Sequence, residues 1–490
     1  MKRLSAIFAL TVSMPLSFTF ACGGDDDAPS NSGGRSGSSN APTGGKNTSG
    51  GAPHAGASSE PEAGAGNTST GESGAGGGGQ TGSPEMGGSA GDGGSGGATP
   101  NENVIEGRVI DPMGSARAGV SVIVEGRSDL TDAEGYFRFE NVGGTYDVLA
   151  FPTDGQTAFV YQGITRRNPI LIVNAEDRVH TSRVSGMTDY PASAVTSFFG
   201  RVGLASHKHA GVSSPLDLKA QTYGPLEISW TGAERYKQDL LALVWIRKEN
   251  EEPLEYLGFG EAAVDVRADE EDVNADIHVD DLSEEKTAST RSLSISGQVP
   301  EGYQVLRHGL EFGTIPLLDK QTDALSASYN VPSGLKTGHL VFTVESAMLE
   351  TPEGPAVQRS TAQWVVTDDQ EKLDFELPAA PTPVVPLNGA AGVNKSTLFQ
   401  WQPFTGGIHR LEVSWGESHV VVYTQADSTK LPDLAVVGLA YPSDGEFEWK
   451  VSGLGPVESI DEWVASADPL VSLGALHSAE SETRAFTISE

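Results

Sequence analysis

The 490-residue sequence contains one cysteine, Cys22, and ten histidines, so thiol chemistry is confined to one position and imidazole chemistry to few. Cys22 follows Ala21 at the end of an apolar N-terminal run, and no second thiol exists for it to pair with. His207 and His209 stand two residues apart and would share a face of an extended segment, offering two nitrogens to a metal. No third ligand follows at a diagnostic spacing, so they read as solvated loop histidines. Residues 265–285 hold ten acids against Arg267 alone, a density that calcium could use. The spacing of a known calcium loop is absent, and alternation with Val264, Val266, Ile277 and Val279 explains the acids as outward faces of strands. The 57 carboxylates of residues 103–490 make chance pairs inevitable, so none is assigned to glycoside hydrolysis. Gly87 to Gly91 match G-x-S-x-G, and Gly91, Gly93 and Gly96 match G-x-G-x-x-G. Neither follows a strand or opens a helix, and both are accidents of glycine frequency. No catalytic residue, metal or cofactor is expected.

The segments that carry these residues divide by composition. Residues 23–102 hold 26 glycines, 13 serines and 6 prolines, and no Val, Ile, Leu, Phe, Tyr or Trp. Such a stretch buries too little apolar area to offset the entropy of ordering its backbone, and it reads as a disordered tether. A Gly-rich chain of this length has a root-mean-square span of about 45 to 54 Å. Ahead of it, Lys2 and Arg3 precede an apolar run from Leu4 to Phe18, the arrangement of a secretory signal peptide. Ser5, Ser13, Pro15 and Ser17 interrupt the run, which is too short to persist as a spanning helix.

Thr19, Phe20, Ala21 and Cys22, followed by Gly23, Gly24 and Asp25, resemble the lipobox of bacterial lipoproteins, with Thr19 where that family commonly has Leu. The resemblance implies removal of residues 1–21 and acylation of Cys22 by fatty chains such as palmitate. Each buried methylene contributes about 0.8 kcal/mol, so several chains on one residue hold a protein at a bilayer. Gly23 after the cysteine, by resemblance to enterobacterial lipoproteins, implies the outer membrane.

Residues 103–490 carry 28 basic and 57 acidic residues, a net charge of minus 29, which argues against nucleic acid as a partner and leaves protein or polysaccharide. Their pattern is alternation with a period of two, interrupted by turn signals, which predicts an all-β chain of tandem β-sandwiches. Ile105, Gly107 and Val109, then Val120, Val122 and Val124, then Phe137 and Phe139 each share a strand face. With Asp111, Gly114, Ala118, Gly119, Thr131, Asp132, Gly135, Gly144, Tyr146 and Val148, they resemble the carboxypeptidase regulatory-like domain. That family is a transthyretin-like sandwich of seven strands without catalytic residues, here expected over residues 103–193. Phe199, Gly200 and Val202, and again Ile295, Gly297 and Val299, echo the first strand. They predict two further sandwiches, 194–288 and 289–378, with one large sandwich as the alternative. After the proline-rich hinge at 378–383, Phe399 with Trp401 and Phe447 with Trp449 and Val451 resemble a fibronectin type III domain over 379–490, with Phe447 near the usual tyrosine corner. The seven tryptophans fall mostly on apolar faces and are expected in cores. The expected function is that of a non-enzymatic cell-envelope lipoprotein presenting β-sandwich modules. The alternatives are a carbohydrate-binding or adhesion protein and an enzyme with an unrecognised site.

Overall fold

The computed structural model describes residues 103–153, 155–174, 179–189, 198–209, 212–231, 234–246, 252–268, 270–281, 289–320, 325–348 and 358–488. Cys22, the signal segment, the tether and its glycine motifs lie outside them. Within them the chain is nearly all β, with two helices, Ile460–Trp463 and Pro469–Leu473, and one short 3-10 turn.

The alternation seen in the sequence becomes four modules, each around its own core. In the first, Val104–Ile110 is the middle strand of a three-stranded sheet, antiparallel to Tyr136–Glu140 and parallel to Ile170–Ile172. Four more strands between residues 121 and 164 form the facing layer. Gly107 stands opposite Phe137, and a Cβ there would overlap the Phe137 ring. Gly135 has a φ of +82°, and the Asp132 carboxylate accepts from Tyr136 N at 2.7 Å, closing the hairpin turn. The third module repeats this plan. Ser289–Gln298 lies between antiparallel Ser326–Ser333 and parallel Lys372–Glu376, and Gly297 stands opposite Phe375. The echo at Gly200 has a different setting, because Phe198–Leu204 has antiparallel neighbours on both sides.

The second module begins with His180–Asp189, ahead of residue 194, where the sequence places its start. This strand pairs with Thr222–Trp230, and its inward positions are Ser182, Val184, Gly186 and Thr188. Only one of the four is a large apolar residue, so its periodicity is invisible in a hydrophobic pattern. The same pairing closes the module's eight-stranded sheet on itself.

The modules are fused, not strung. A single 14-stranded sheet runs from the third module through the C-terminal one into the first. Gln358–Val366 pairs antiparallel with Ala475–Glu480, and Ser418–Thr424 pairs parallel with Thr157–Ile164. At the seam with the first module the strands are buried on both faces over most of their length. Val420 and Val422 pack in the C-terminal core, while Val421 and Tyr423 pack in the first. Arg235–Ile246 does the same between the second and third modules. Leu240, Ala242 and Val244 enter the second core, and Leu241, Leu243 and Trp245 the third. A continuous apolar run is the pattern of a strand covered on both sides.

Candidate functional site at the module junction

Polar groups from all four modules meet where the second module touches the first and the last. The segment after Phe198–Leu204 carries His207, Lys208 and His209. Against it lies residue stretch 456–474, which leaves the C-terminal module between Glu446–Gly455 and Ala475–Glu480 and holds both helices. Asp468 caps the second of these, accepting from Val471 N at 3.3 Å, with Pro469 behind it as a helix starter. The same carboxylate lies 3.4 Å from His207 Nε2 and 3.5 Å from Lys208 Nζ. Lys208 Nζ also donates to Ala467 O at 3.1 Å. Burial pushes the Asp468 carboxyl up, but His207, Lys208 and the Val471 N–H outweigh it and hold the group below the usual carboxylate range. The third module contributes His339, whose ring stands edge-on to His207 with centroids 6.5 Å apart. From the first module Asp111 accepts from Thr231 Oγ1 at 3.2 Å and from Ser115 N at 2.8 Å. Thr231 follows the second module's strand Thr222–Trp230.

These positions correct the reading of His207 and His209 as solvated loop histidines. His209 is 5% exposed, the His207 side chain 10%. His209 is hydrogen-bonded to the Tyr236 hydroxyl, and burial, with Lys208 beside it, holds its imidazole down at about 4. Tyr236 stacks in turn on Trp230, centroids 5.9 Å apart. The covering segment lies some 259 residues downstream, so no local pattern announces it. For the same reason the sequence does not single out His339, Asp468 and Tyr236, and it marks Asp111 only as a turn residue. The one legible sign was the Asp-Pro pair at 468–469, a helix start.

Stretch 456–474 grips the first module as well. Asp461 Oδ1 accepts from Thr165 N and Arg166 N, each at 2.8 Å, and Val464 O accepts from Ile170 N at 2.8 Å. Ile460, Trp463 and Val464 enter the first core. Gly474 O accepts from Val365 N of the third module at 2.9 Å.

The acidic run reads differently from a metal site. Asp265 pairs with Arg235, Asp276 accepts from Met187 N at 2.9 Å, and Asp280 lies 3.3 Å from His278 Nε2. Asp269 and residues 282–285 lie outside the described residues. Among the described residues no group of three or more His, Cys, Asp or Glu is placed to hold a metal ion. All seven tryptophans are buried, at 9% exposure or less. A separate, open groove of about 720 Å³ on the second module is lined by Phe198, Leu216, Leu218 and Tyr223 together with the polar and charged Ser214, Asp217, Lys219 and Thr222.

No protein-family model matches the chain, and no curated protein sequence matches it. Among solved structures, it is similar to two B repeat units of the collagen binding protein of Staphylococcus aureus. There the identity is 12%, over 72% of this chain and 94% of that one, with a TM-score of 0.12. It is also similar to the pilus adhesin SpaC from Lactobacillus rhamnosus GG, at 10% identity over 72% of this chain and 51% of that one, TM-score 0.12. Sidekick-1 immunoglobulin domains 1–5 align at 10% identity over 79% of this chain and 77% of that one, TM-score 0.11. TM-scores this low carry no argument for a shared arrangement or ligand.

Proposed function

We propose that the chain is a non-enzymatic cell-envelope lipoprotein, anchored in the outer membrane through acylated Cys22 and presenting a fused β-rich body for binding. The observation that carries the anchor is the position of the only cysteine, between a signal-like apolar run and a tether without large apolar residues. The continuous 14-stranded sheet supports the presenting role, because shared strands hold the first, third and C-terminal modules as one body at the end of the tether. Replacing Cys22 with serine should abolish labelling by a fatty-acid probe and leave the precursor unprocessed. A labelled Cys22→Ser protein partitioning into detergent overturns the anchor.

Adhesion to a protein or polysaccharide is the more specific reading, and the open groove beside Phe198, where apolar, hydroxyl and charged side chains stand together, is its candidate surface. Arrays of polysaccharides and matrix proteins probed with the full chain test it. Binding lost on Leu216→Ala supports the groove, whereas turnover of a polymer would point to an enzyme.

A further inference from the structure

The four modules close a ring, and its joints are chemically unequal. The third and C-terminal modules share the antiparallel pairing of Gln358–Val366 with Ala475–Glu480. The C-terminal and first modules share the pairing of Ser418–Thr424 with Thr157–Ile164 and two mixed cores. The second and third share a core through Leu241, Leu243, Trp245 and Tyr256. Thr314 reinforces that joint, its N–H donating to Leu204 O at 2.9 Å and its Oγ1 to Val212 O at 2.6 Å. The fourth joint, between the second module and the first and C-terminal ones, differs. Among the described residues no sheet pairing crosses it, and the only hydrophobic cluster with residues from both sides is the third module's, where Ala475 of the C-terminal module lies at the edge of the core that Leu241 and Leu243 enter. The contacts that described residues make across it include His207 and Lys208 with Asp468, Lys208 with Ala467 O, and Thr231 with Asp111, and the chain also passes from the first module to the second through residues 173–179.

We propose that this polar joint is a clasp at which the ring opens, within the reach that residues 173–179 allow, with the second module swinging on its apolar seam with the third. The physics is that of unequal cohesion. Parting an apolar seam exposes area at about 25 cal/mol per Å², and parting a shared sheet also leaves backbone groups unpaired. Parting the clasp returns both partners of each largely buried pair to water together, and the hydration regained offsets most of the lost attraction and hydrogen bonding. Stretch 456–474 stays with the first module on opening, because Ile460, Trp463 and Val464 anchor it there, while Asp468 releases His207 and Lys208. Opening uncovers the face that carries His207, Lys208 and Asp111, which gives the tethered body a second surface to present.

The test is a distance measurement across the joint. In the full chain with Cys22→Ser, fluorophores are placed on Ser128→Cys of the first module and Glu227→Cys of the second, both exposed. Transfer efficiency is then compared with and without the pair Lys208→Met and Asp468→Asn. The clasp predicts a lower and broader transfer efficiency for the pair variant. It predicts no change for Lys395→Met with Asp433→Asn, an exposed ion pair of 3.0 Å inside the C-terminal module. An unchanged distance in the clasp variant overturns the proposal. Should near-ultraviolet circular dichroism show that this variant is misfolded, the parent decides through salt. Raising sodium chloride from about 0.05 to 1 M shortens the screening length to about 3 Å and should lower transfer. A distance insensitive to that change overturns the clasp equally.

Discussion

Two buried titratable residues give the protein opposite pH limbs. His209 is held at about 4 against an ordinary 6.5, chiefly by burial, so the folded state prefers its neutral form. Its contribution is present above pH 6.5 and is lost as pH falls toward 4, because the unfolded chain then binds the extra proton. Glu311 runs the other way. It is 8% exposed, its Oε1 has no hydrogen-bond partner, and burial raises it from 4.5 to about 7 against the pull of Arg307. Its contribution is present below pH 4.5 and is lost as pH rises through 7. A rise of that size corresponds to about 3 kcal/mol. Glu311→Gln should therefore leave stability near pH 4.5 little changed and raise it at pH 8 by up to that amount. Urea denaturation of both proteins at the two pH values checks this, and parallel pH profiles would falsify it.

At the scale of one element, Arg235–Ile246 shows how a strand couples two modules. Leu243 lies in the third core and Val244 in the second, one residue apart on opposite faces. Leu243→Ala should cost about 2–5 kcal/mol, the range for a truncated core leucine. Because the wall is common, the loss should appear in both modules. Hydrogen exchange in Thr222–Trp230 of the second module and Leu340–Met348 of the third measures it, and faster exchange in the third alone would mean that the wall does not couple them. Leu241, Leu243 and Trp245 alternate in the sequence as one face of a strand. That the other face is equally buried follows only from the neighbouring module. His180–Asp189 failed in the opposite sense, since small and hydroxylated residues fill its inward positions and leave no apolar period to read.

For the whole molecule, fusion and tether predict contrasting susceptibilities. A broad protease should cut first within residues 23–102, where sequence offers no apolar residues to bury, and leave a body beginning near residue 103. Earliest cuts at the seams, such as near residues 378–383, would show the modules to be independent beads. The sequence by itself determined the β class, the single thiol and the core tryptophans, because strand period, turn residues and apolar content act over a few neighbours. It also carried the likeness of Gly297 to Gly107 within their strands, while the Phe375 and Phe137 rings that face them come from other strands. Only the tertiary structure decided that the modules share strands and that His207, Lys208 and Asp468 meet. Those contacts join residues far apart in the chain, 111 positions for Trp364 with Ala475 and 259 for Lys208 with Ala467, and such distances are spanned by the burial of whole faces, which no local pattern encodes.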